Sequence, residues 1–315
     1  MALSITEANA VSSKYFDKTI TSQVYEQSVL YSRLKAKNKV VMDGGTQLQW
    51  PIRYRELNQT EAVTSRQQVD WKQKETRTGA VLDWTYYLGK TMISWDERVK
   101  NTGKPQIVNL LKDKTDELNE DIYEKFCDDL YATSQGTNNI QALITIIDSG
   151  TTYAGIAVAD AADWASTEDS STTRLVLYGS AASLSATINA TTFGKNHPDL
   201  IITSRNLYSK AESLIEPQKR YKSEEPGMIG FTNVKFHDVP IVGDAHCPAG
   251  YMFGIDTSQF ELRYHPDYHF KVMPWTELEQ AGFPNAMAKA VSWAGNIACR
   301  MRKTSFKYTA LDYTL

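Results

Sequence analysis

A long polar insertion between two strand-like segments constrains the fold more than any other feature of the chain. Leu48, Trp50 and Ile52 alternate with polar residues, which is typical of a strand with one buried face. A second segment is predicted as one continuous strand because five apolar residues alternate on one side: Ala80, Leu82, Trp84, Tyr86 and Leu88. Residues 57–79 between them are almost entirely polar, with Trp71 the only aromatic.

A two-stranded hairpin is marginally stable in water, and this insertion is too poor in apolar groups to fold over a core of its own. We therefore expect the hairpin to be ordered by something outside its own subunit. The alternative is a mobile surface hairpin, which long loops often are.

A long helical stripe is the second constraint. Six apolar residues recur at intervals of four or seven: Ile107, Leu111, Leu118, Ile122, Phe126 and Leu130. The pattern predicts a helix from about Asn101 to about Thr133, long enough to act as a spine under a sheet. A coiled coil is disfavoured, because the stripe spans barely four heptads and Thr115 interrupts it.

The remaining patterns indicate a mixed α and β chain. A short helix is expected around Val24–Leu34, a tight turn at Asp43-Gly44, and an irregular connector with one short strand at 134–172. A second α/β unit begins near Arg174, with a buried strand at Leu200–Ile202 and a helix capped by Ser204 and ended by Pro217. Further strands are predicted at Val239–Val242, Tyr251–Ile255 and Phe260–Tyr264 and within Val291–Leu311.

Composition places the chain among ordinary globular proteins. Its 315 residues are 42% apolar and 23% charged. No apolar run approaches the ~20 residues that cross a bilayer, and the first residues lack the pattern of a signal peptide. The three cysteines, Cys127, Cys247 and Cys299, are widely spaced and predict neither a disulfide framework nor a metal knuckle. We expect synthesis in a reducing cytoplasm, with no membrane partner.

Charge is unevenly distributed along the chain. Residues 1–40 carry six basic side chains against three acidic ones, and residues 289–315 carry five against one, so the region between them is acidic. Two interpretations stay open: solvated faces of ordinary elements, or basic surfaces that face a polyanion such as nucleic acid.

Catalytic motifs are absent or incomplete. Gly89-Lys90-Thr91 lacks the earlier glycine of a phosphate-binding loop. Cys247 follows His246 directly, and adjacent residues on a strand point to opposite faces, which disfavours a thiol nucleophile. His265 and His269 would share a face only on a helix, and Pro266 argues against one. We therefore expect no catalytic, cofactor-binding or metal-binding residues and no enzymatic activity.

The order of these elements resembles that of the major capsid proteins of tailed bacteriophages, which have the Hong Kong 97-type fold. GGTQLQWPIRYREL (Gly44–Leu57) is similar to the entry of that family's E-loop, and the helix at Ile107–Tyr131 is similar to its spine helix. Three further segments carry the resemblance: QGTNNIQALITIIDSGTTYAGI (Gln135–Ile156), HPDLIITSRNLYSKAESLIEPQKRY (His197–Tyr221) and GFTNVKFHDVPIVGDAHCPAGYMFGID (Gly230–Asp256).

The resemblance implies an α+β fold in five parts. These are an N-terminal arm at 1–38, the E-loop hairpin with flanking strands at 39–95, a peripheral domain with the spine helix at 96–172, an axial α/β domain at 173–285, and a C-terminal return to the peripheral domain at 286–315.

The resemblance also implies a function, a structural subunit that self-assembles into pentamers and hexamers of an icosahedral shell around double-stranded DNA. The hairpin would lie across a neighbouring subunit, with Trp50, Arg53, Arg55 and Trp71 as the contact residues. Five basic residues would face DNA or a scaffold inside the shell: Arg33, Lys35, Lys37, Arg300 and Arg302. Expected partners are other copies of the chain, a scaffolding protein, a portal, a possible decoration protein and packaged DNA, all within a virion made in a bacterial host.

Three other functions stay open at this point. The first is the shell of an encapsulin-like nanocompartment, which would enclose an enzyme in place of DNA. The second is a hydrolase whose active site the motifs do not reveal. The third is a phage accessory protein that forms no shell.

Overall fold

The structure is a computed structural model that describes residues 29–100, 104–215, 234–279, 283 and 285–314. The helices of these ranges are α1 (Val29–Ala36), α2 (Trp95–Lys100), α3 (Lys104–Leu130), α4 (Leu143–Ile146), α5 (Leu184–Ala190) and α6 (Arg205–Ile215). The strands are β1 (Val40–Met42), β2 (Leu48–Arg53), β3 (Arg77–Leu82), β4 (Thr85–Ile93), β5 (Thr167–Asp169), β6 (Leu200–Ser204), β7 (Val234–Phe236), β8 (Val239–Asp244), β9 (Met252–Ile255), β10 (Phe260–Tyr264), β11 (Lys271–Val272), β12 (Thr276–Glu277), β13 (Met287–Cys299) and β14 (Phe306–Tyr308).

The described residues form two compact units. The first unit combines the residues up to Gly44 with Trp84–Ala142 and Phe260–Ile297. The second combines Gly45–Asp83, Leu143–Gln259 and the residues from Ala298 onward. This grouping differs from the five-part division, because β10 joins the sheet of β13 while the connector after Ala142 joins the other unit.

In the first unit, α3 packs along a sheet. β13 pairs antiparallel with β4 over Met287–Gly295 and also with β11 and β12, while β1 runs parallel to β10 at an edge. Gly89 of β4 lies against α3, since a Cβ atom there would fall 2.5 Å from Cδ1 of Ile122. The missing side chain lets helix and strand approach closely.

The sequence predicted α3 closely. The helix spans 27 residues, about 40 Å at 1.5 Å per residue, as the stripe indicated. Leu111, Leu118, Ile122, Phe126 and Leu130 are all buried, whereas the side chain of Ile107 falls outside the described part. Thr115, which breaks the apolar stripe, is buried as well, and its hydroxyl donates to the carbonyl of Leu111 at 2.7 Å.

The prediction of one continuous strand through Ala80–Leu88 is wrong. β3 ends at Leu82, and β4 begins at Thr85 in the other unit. Ala80 and Leu82 are buried as expected, but Tyr86 is 73% and Leu88 62% exposed. The two-residue break changes which alternate positions face inward, so that Thr85, Gly89 and Ile93 take the buried face of β4.

In the second unit, a six-stranded sheet runs in the order β5-β14-β9-β6-β8-β7. Its core joins β6 and β8 to the inner faces of α5 and α6, with Ile201, Ile241, Leu207 and Phe306 among the fully buried residues. The predicted strands in 200–264 and the helix after β6 are all present. Ser204 stands directly before α6, but its buried hydroxyl makes no hydrogen bond among the described residues, so the predicted cap bond is absent.

Two other predictions concern residues that lie partly outside the ranges that the structure describes. The helix expected at Val24–Leu34 appears as α1, and residues 24–28 lie outside the described residues. Pro217, expected to end α6, also lies outside them. The connector at 134–172 contains one short strand, β5, as predicted, and the single turn of α4.

Candidate functional site

The stem of the hairpin is fixed to its own subunit through one face. β2 and β3 are antiparallel, with Trp50 opposite Ala80. Residues of β2 alternate between buried and exposed, as the sequence predicted. The N–H of Val81 donates to the carbonyl of Ala154 at 3.0 Å, which ties β3 to the connector.

The loop of the hairpin is exposed along its whole length. Residues 55–75 are all exposed and lie outside helices and strands. Gln59 donates to the carbonyl of Lys72 at 2.7 Å, and Lys74 to that of Leu57 at 3.3 Å. Trp71 is 91% exposed. The loop therefore presents a large aromatic side chain that the described residues leave exposed.

The four predicted contact residues of the hairpin have different environments. Trp50 is 3% exposed and packs within its own subunit, so the structure corrects its assignment to an intersubunit contact. Arg53 is exposed. Arg55 donates from Nε to the carbonyl of Asp160 at 2.7 Å while its guanidinium lies 4.9 Å from the ring centroid of Tyr54. A contact role for Arg53, Arg55 and Trp71 stays a prediction.

Arg302 is a second correction. It was expected to face DNA or a scaffold, but it is 1% exposed. Its guanidinium donates to the carbonyls of Ile146 at 2.6 Å, Asp148 at 3.0 Å and Thr145 at 3.2 Å. It also lies 5.4 Å from the ring centroid of Tyr153. A buried guanidinium that donates to several backbone carbonyls holds the fold together and has no access to an external anion.

The structure brings residues of the hairpin and of the C-terminal region together in one cleft. The cleft measures about 740 Å³ and lies wholly within the second unit. Four of its lining residues are partly or fully exposed cations: Arg53, Arg55, Arg300 and Lys303. Two carboxylates, Glu56 and Asp163, also line it, and Lys303 Nζ lies 3.9 Å from Asp163 Oδ1. The cleft is therefore basic. The sequence predicted functional roles for Arg53, Arg55 and Arg300 separately. It did not indicate Lys303, and it did not indicate that the four side chains line one cleft.

A strongly acidic surface lies on α3. Residues 114–130 carry seven carboxylates and two lysines. Five of the carboxylates are exposed: Glu117, Glu120, Asp121, Glu124 and Asp128. At 3.6 residues per turn, four of the five fall within an arc of about 60°, opposite the buried stripe. We call these five residues the acidic face. Their spacing is readable from the sequence, but a regional sum of charge does not reveal that they share one face of the helix.

Exposed apolar side chains lie on the outer side of β4, and we call them the apolar row. Tyr86, Leu88 and Met92 share this side, and the exposed Lys90 stands between Leu88 and Met92. Opposite them on β13 stand the small residues Ala294, Ser292 and Ala288. Large apolar side chains exposed in a row are typical of a surface that another chain covers.

The predicted basic residues of the N-terminal arm lie on or just after α1. Arg33 is partly buried, whereas Lys35 and Lys37 are exposed. Their orientation toward DNA or a scaffold stays a prediction.

The residues considered for catalysis and metal binding lie in unfavourable surroundings. Cys247 is buried, and burial, followed by the charge of Asp244, raises the pKa of its thiol, which disfavours the reactive thiolate. Between His265 and His269 the chain forms a short 3₁₀ turn, Pro266–Tyr268, in place of an α-helix. His269 stacks on Tyr264 with 3.9 Å between ring centroids. Within the described ranges, no three His, Cys, Asp or Glu residues are grouped so as to hold a metal ion.

Solved structures resemble this chain over most of its length. The cyanophage A-1(L) capsid asymmetric unit aligns with a TM-score of 0.60 and 15% identity, covering 87% of this chain and 90% of that one. The capsid of a native GTA particle, computed with C5 symmetry, aligns with a TM-score of 0.59, 7% identity and coverage of 89% and 90%. A structure from Mycobacterium phage Bobi aligns with a TM-score of 0.57, 12% identity and 99% coverage of both chains.

The chain shares the fold of phage capsid subunits. No protein-family model matches its sequence, and no curated protein matches it either. The expected α+β class is confirmed at the level of a mixed fold of sheets and helices. In the part of the chain that the structure describes, no helix is long and apolar enough to span a membrane.

Proposed function

We propose that the chain is a major capsid subunit that assembles with copies of itself into pentamers and hexamers of a closed shell. The exposed hairpin loop carries the proposal, because residues 55–75 have no core and Trp71 is 91% exposed. The likeness in fold to capsid subunits supports it. A closed shell made from one sequence requires such repeated contacts between copies.

The apolar row of β4 is our candidate for the surface that the hairpin loop covers on a neighbouring copy. Trp71, Val63 and Val69 of the loop are exposed, as are Tyr86 and Leu88 of the row. Joining two exposed apolar surfaces removes both from water, which favours association by about 25 cal/mol for each Å² buried.

The contents and partners of the shell belong to the same proposal. Arg33, Lys35 and Lys37 would attract double-stranded DNA or a scaffolding protein by charge, without sequence readout. A portal and a decoration protein are further partners, and the assembled protein would reside in a virion. The role is structural, with no catalytic step.

The test is electron microscopy of the purified protein together with light scattering, on the unaltered chain and on two hairpin variants. In the first, a short Gly/Ser linker replaces residues 58–75, which leaves the stem intact because the N–H of Tyr54 bonds to the carbonyl of Thr76. In the second, Gly and Ser replace the same residues at full length. We expect shells or capsomer rings from the unaltered chain, and folded monomers from both variants.

The outcomes separate the candidate functions. An unaltered chain that stays monomeric, with or without co-expressed phage scaffold, would contradict the proposal and favour an accessory protein. Shells that enclose protein and exclude nucleic acid would favour a nanocompartment. Normal shells from both hairpin variants would show that the hairpin loop is not needed for contacts between copies.

A further inference from the structure

The basic cleft and the acidic face carry opposite charge. The cleft gathers Arg53, Arg55, Arg300 and Lys303 around about 740 Å³. The acidic face extends from Glu117 to Asp128, about 16 Å along the helix at 1.5 Å per residue. We infer that the cleft receives the acidic face of α3 from a second copy of the chain, with carboxylates meeting guanidinium groups. The inference rests on the proposed self-assembly and names one of its contacts.

The hairpin itself supplies much of the lining of the cleft. Residues 51–58 and Thr60 line it together with residues 300–303. An element proposed to reach a neighbouring copy therefore carries Arg53 and Arg55 at its root. A neighbour that engages the hairpin is brought close to this cleft, which favours a protein occupant over a free anion.

Charge balance gives a second argument. Copies of one chain that pack side by side bring their acidic faces into a crowded surface, where like charges repel. Lys114 lies 3.3 Å from Glu117 and Lys125 lies 2.7 Å from Asp129, and residues 114–130 carry seven carboxylates against these two lysines. A basic surface on the adjoining copy would offset this excess of negative charge.

The mixed charge of the cleft favours discrete carboxylates over nucleic acid. DNA carries one negative charge for each ~1.7 Å of helix axis and is bound along extended basic tracks. Here four cations share a cleft of about 740 Å³ with Glu56 and Asp163. Carboxylates on successive turns of a helix lie about 5–6 Å apart, and each can meet one guanidinium group in a bidentate geometry.

The test is a charge exchange in the full chain. The cleft variant is Arg53→Glu with Arg300→Glu, and its control of equal charge is Arg174→Glu with Lys195→Glu, two exposed residues outside the cleft. The helix variant is Asp121→Arg with Glu124→Arg, and its control is Glu277→Arg with Glu279→Arg. A fifth protein carries the substitutions of both the cleft variant and the helix variant.

Light scattering measures the yield of shells and capsomers, thermal denaturation measures folding, and absorbance measures retained nucleic acid.

We expect the cleft and helix variants each to lower assembly by at least about tenfold relative to their controls, because like charges then face each other. Thermal midpoints should stay unchanged, since all the altered side chains are exposed. The combined variant should regain most of the yield, because the reversed pairs attract again.

Three outcomes would overturn the contact while leaving the proposed function intact. Normal assembly of the cleft variant would show that the cleft does not form part of an interface between copies. Failure of the combined variant to recover, with each parent folded, would show that the two surfaces do not meet. Intact shells that lose nucleic acid in the cleft variant would assign the cleft to DNA. An unaltered chain that never assembles would instead contradict the proposed function itself.

Discussion

The hydroxyl of Tyr87 donates a 2.8 Å hydrogen bond to Oδ2 of Asp129 and joins β4 to α3. The other oxygen of Asp129 accepts from Lys125 at 2.7 Å and from Asn139 at 2.8 Å. The N–H of Ile140 donates to the Tyr87 oxygen at 3.0 Å. One phenol and one buried carboxylate thus connect the strand, the helix and the segment that leaves the helix.

Removing this carboxylate should destabilise the subunit. Asp129→Ala leaves the Tyr87 hydroxyl and the Asn139 amide without their acceptor, and we expect it to lower the free energy of unfolding by about 2–3 kcal/mol. Tyr87→Phe should cost about 1–2 kcal/mol. Urea denaturation of both variants and of the double variant measures the coupling. Strictly additive losses would show that the two side chains do not act together.

The carbonyl cage around Arg302 predicts a larger loss. Arg302→Met fills much of the same volume but leaves the carbonyls of Ile146, Asp148 and Thr145 without their donor, and we expect a loss of about 3 kcal/mol or more. Arg300→Met, two residues earlier and exposed, is the matched control and should change stability by less than about 0.5 kcal/mol. Chemical denaturation measures both, and equal effects would contradict the structural role of Arg302.

These two networks show how far the sequence alone could go. The stripe of α3 and the alternation of β2 were predictable because helix and strand periodicity are local properties. The burial of Arg302 was not, since its cage comes from residues about 150 positions earlier and arginine is usually exposed. The same holds for the cleft, where Arg53 and Arg300 converge only after the whole second unit has formed.

The error at Tyr86 and Leu88 has a local origin. Both residues continue the alternation of Ala80 and Leu82, so the pattern indicated one strand. The chain instead breaks at Asp83-Trp84 and joins a different sheet, where β4 has its own register with β13. Alternation identifies the two faces of a strand but does not say which face the next sheet will bury.

His269 predicts a dependence of stability on pH. Burial lowers the pKa of His269 to about 4, whereas an unfolded chain binds a proton at about pH 6.5. As the pH falls from 6.5 toward 4, only the unfolded state takes up this proton, so folding loses free energy across that window. The loss should approach about 2 kcal/mol by pH 5, at 1.36 kcal/mol per pH unit.

The variant His269→Phe should flatten this part of the profile, because phenylalanine keeps a ring against Tyr264 and binds no proton. Urea denaturation at pH 7, 6 and 5 measures the slope. His197→Gln is the control at an exposed site and should leave the slope in place. An unchanged slope in His269→Phe would assign the pH dependence to other groups.

The two tryptophans of the hairpin should separate assembly from folding. Trp71 is 91% exposed, so Trp71→Ala removes almost no buried surface from the subunit, and its free energy of unfolding should stay within about 0.5 kcal/mol of the unaltered value. Trp50 is 3% exposed, and Trp50→Ala should lower the free energy of unfolding by about 3–5 kcal/mol, because it opens a cavity behind the stem.

If the loop covers a neighbouring copy, Trp71→Ala should nevertheless reduce shell yield strongly, because aromatic side chains at the centre of an interface contribute most of its binding energy. Denaturation of the dissociated subunit and light scattering of the assembling protein measure the two properties independently. A Trp71→Ala protein that assembles as well as the unaltered chain would contradict the role of the loop, whatever the stability of Trp50→Ala.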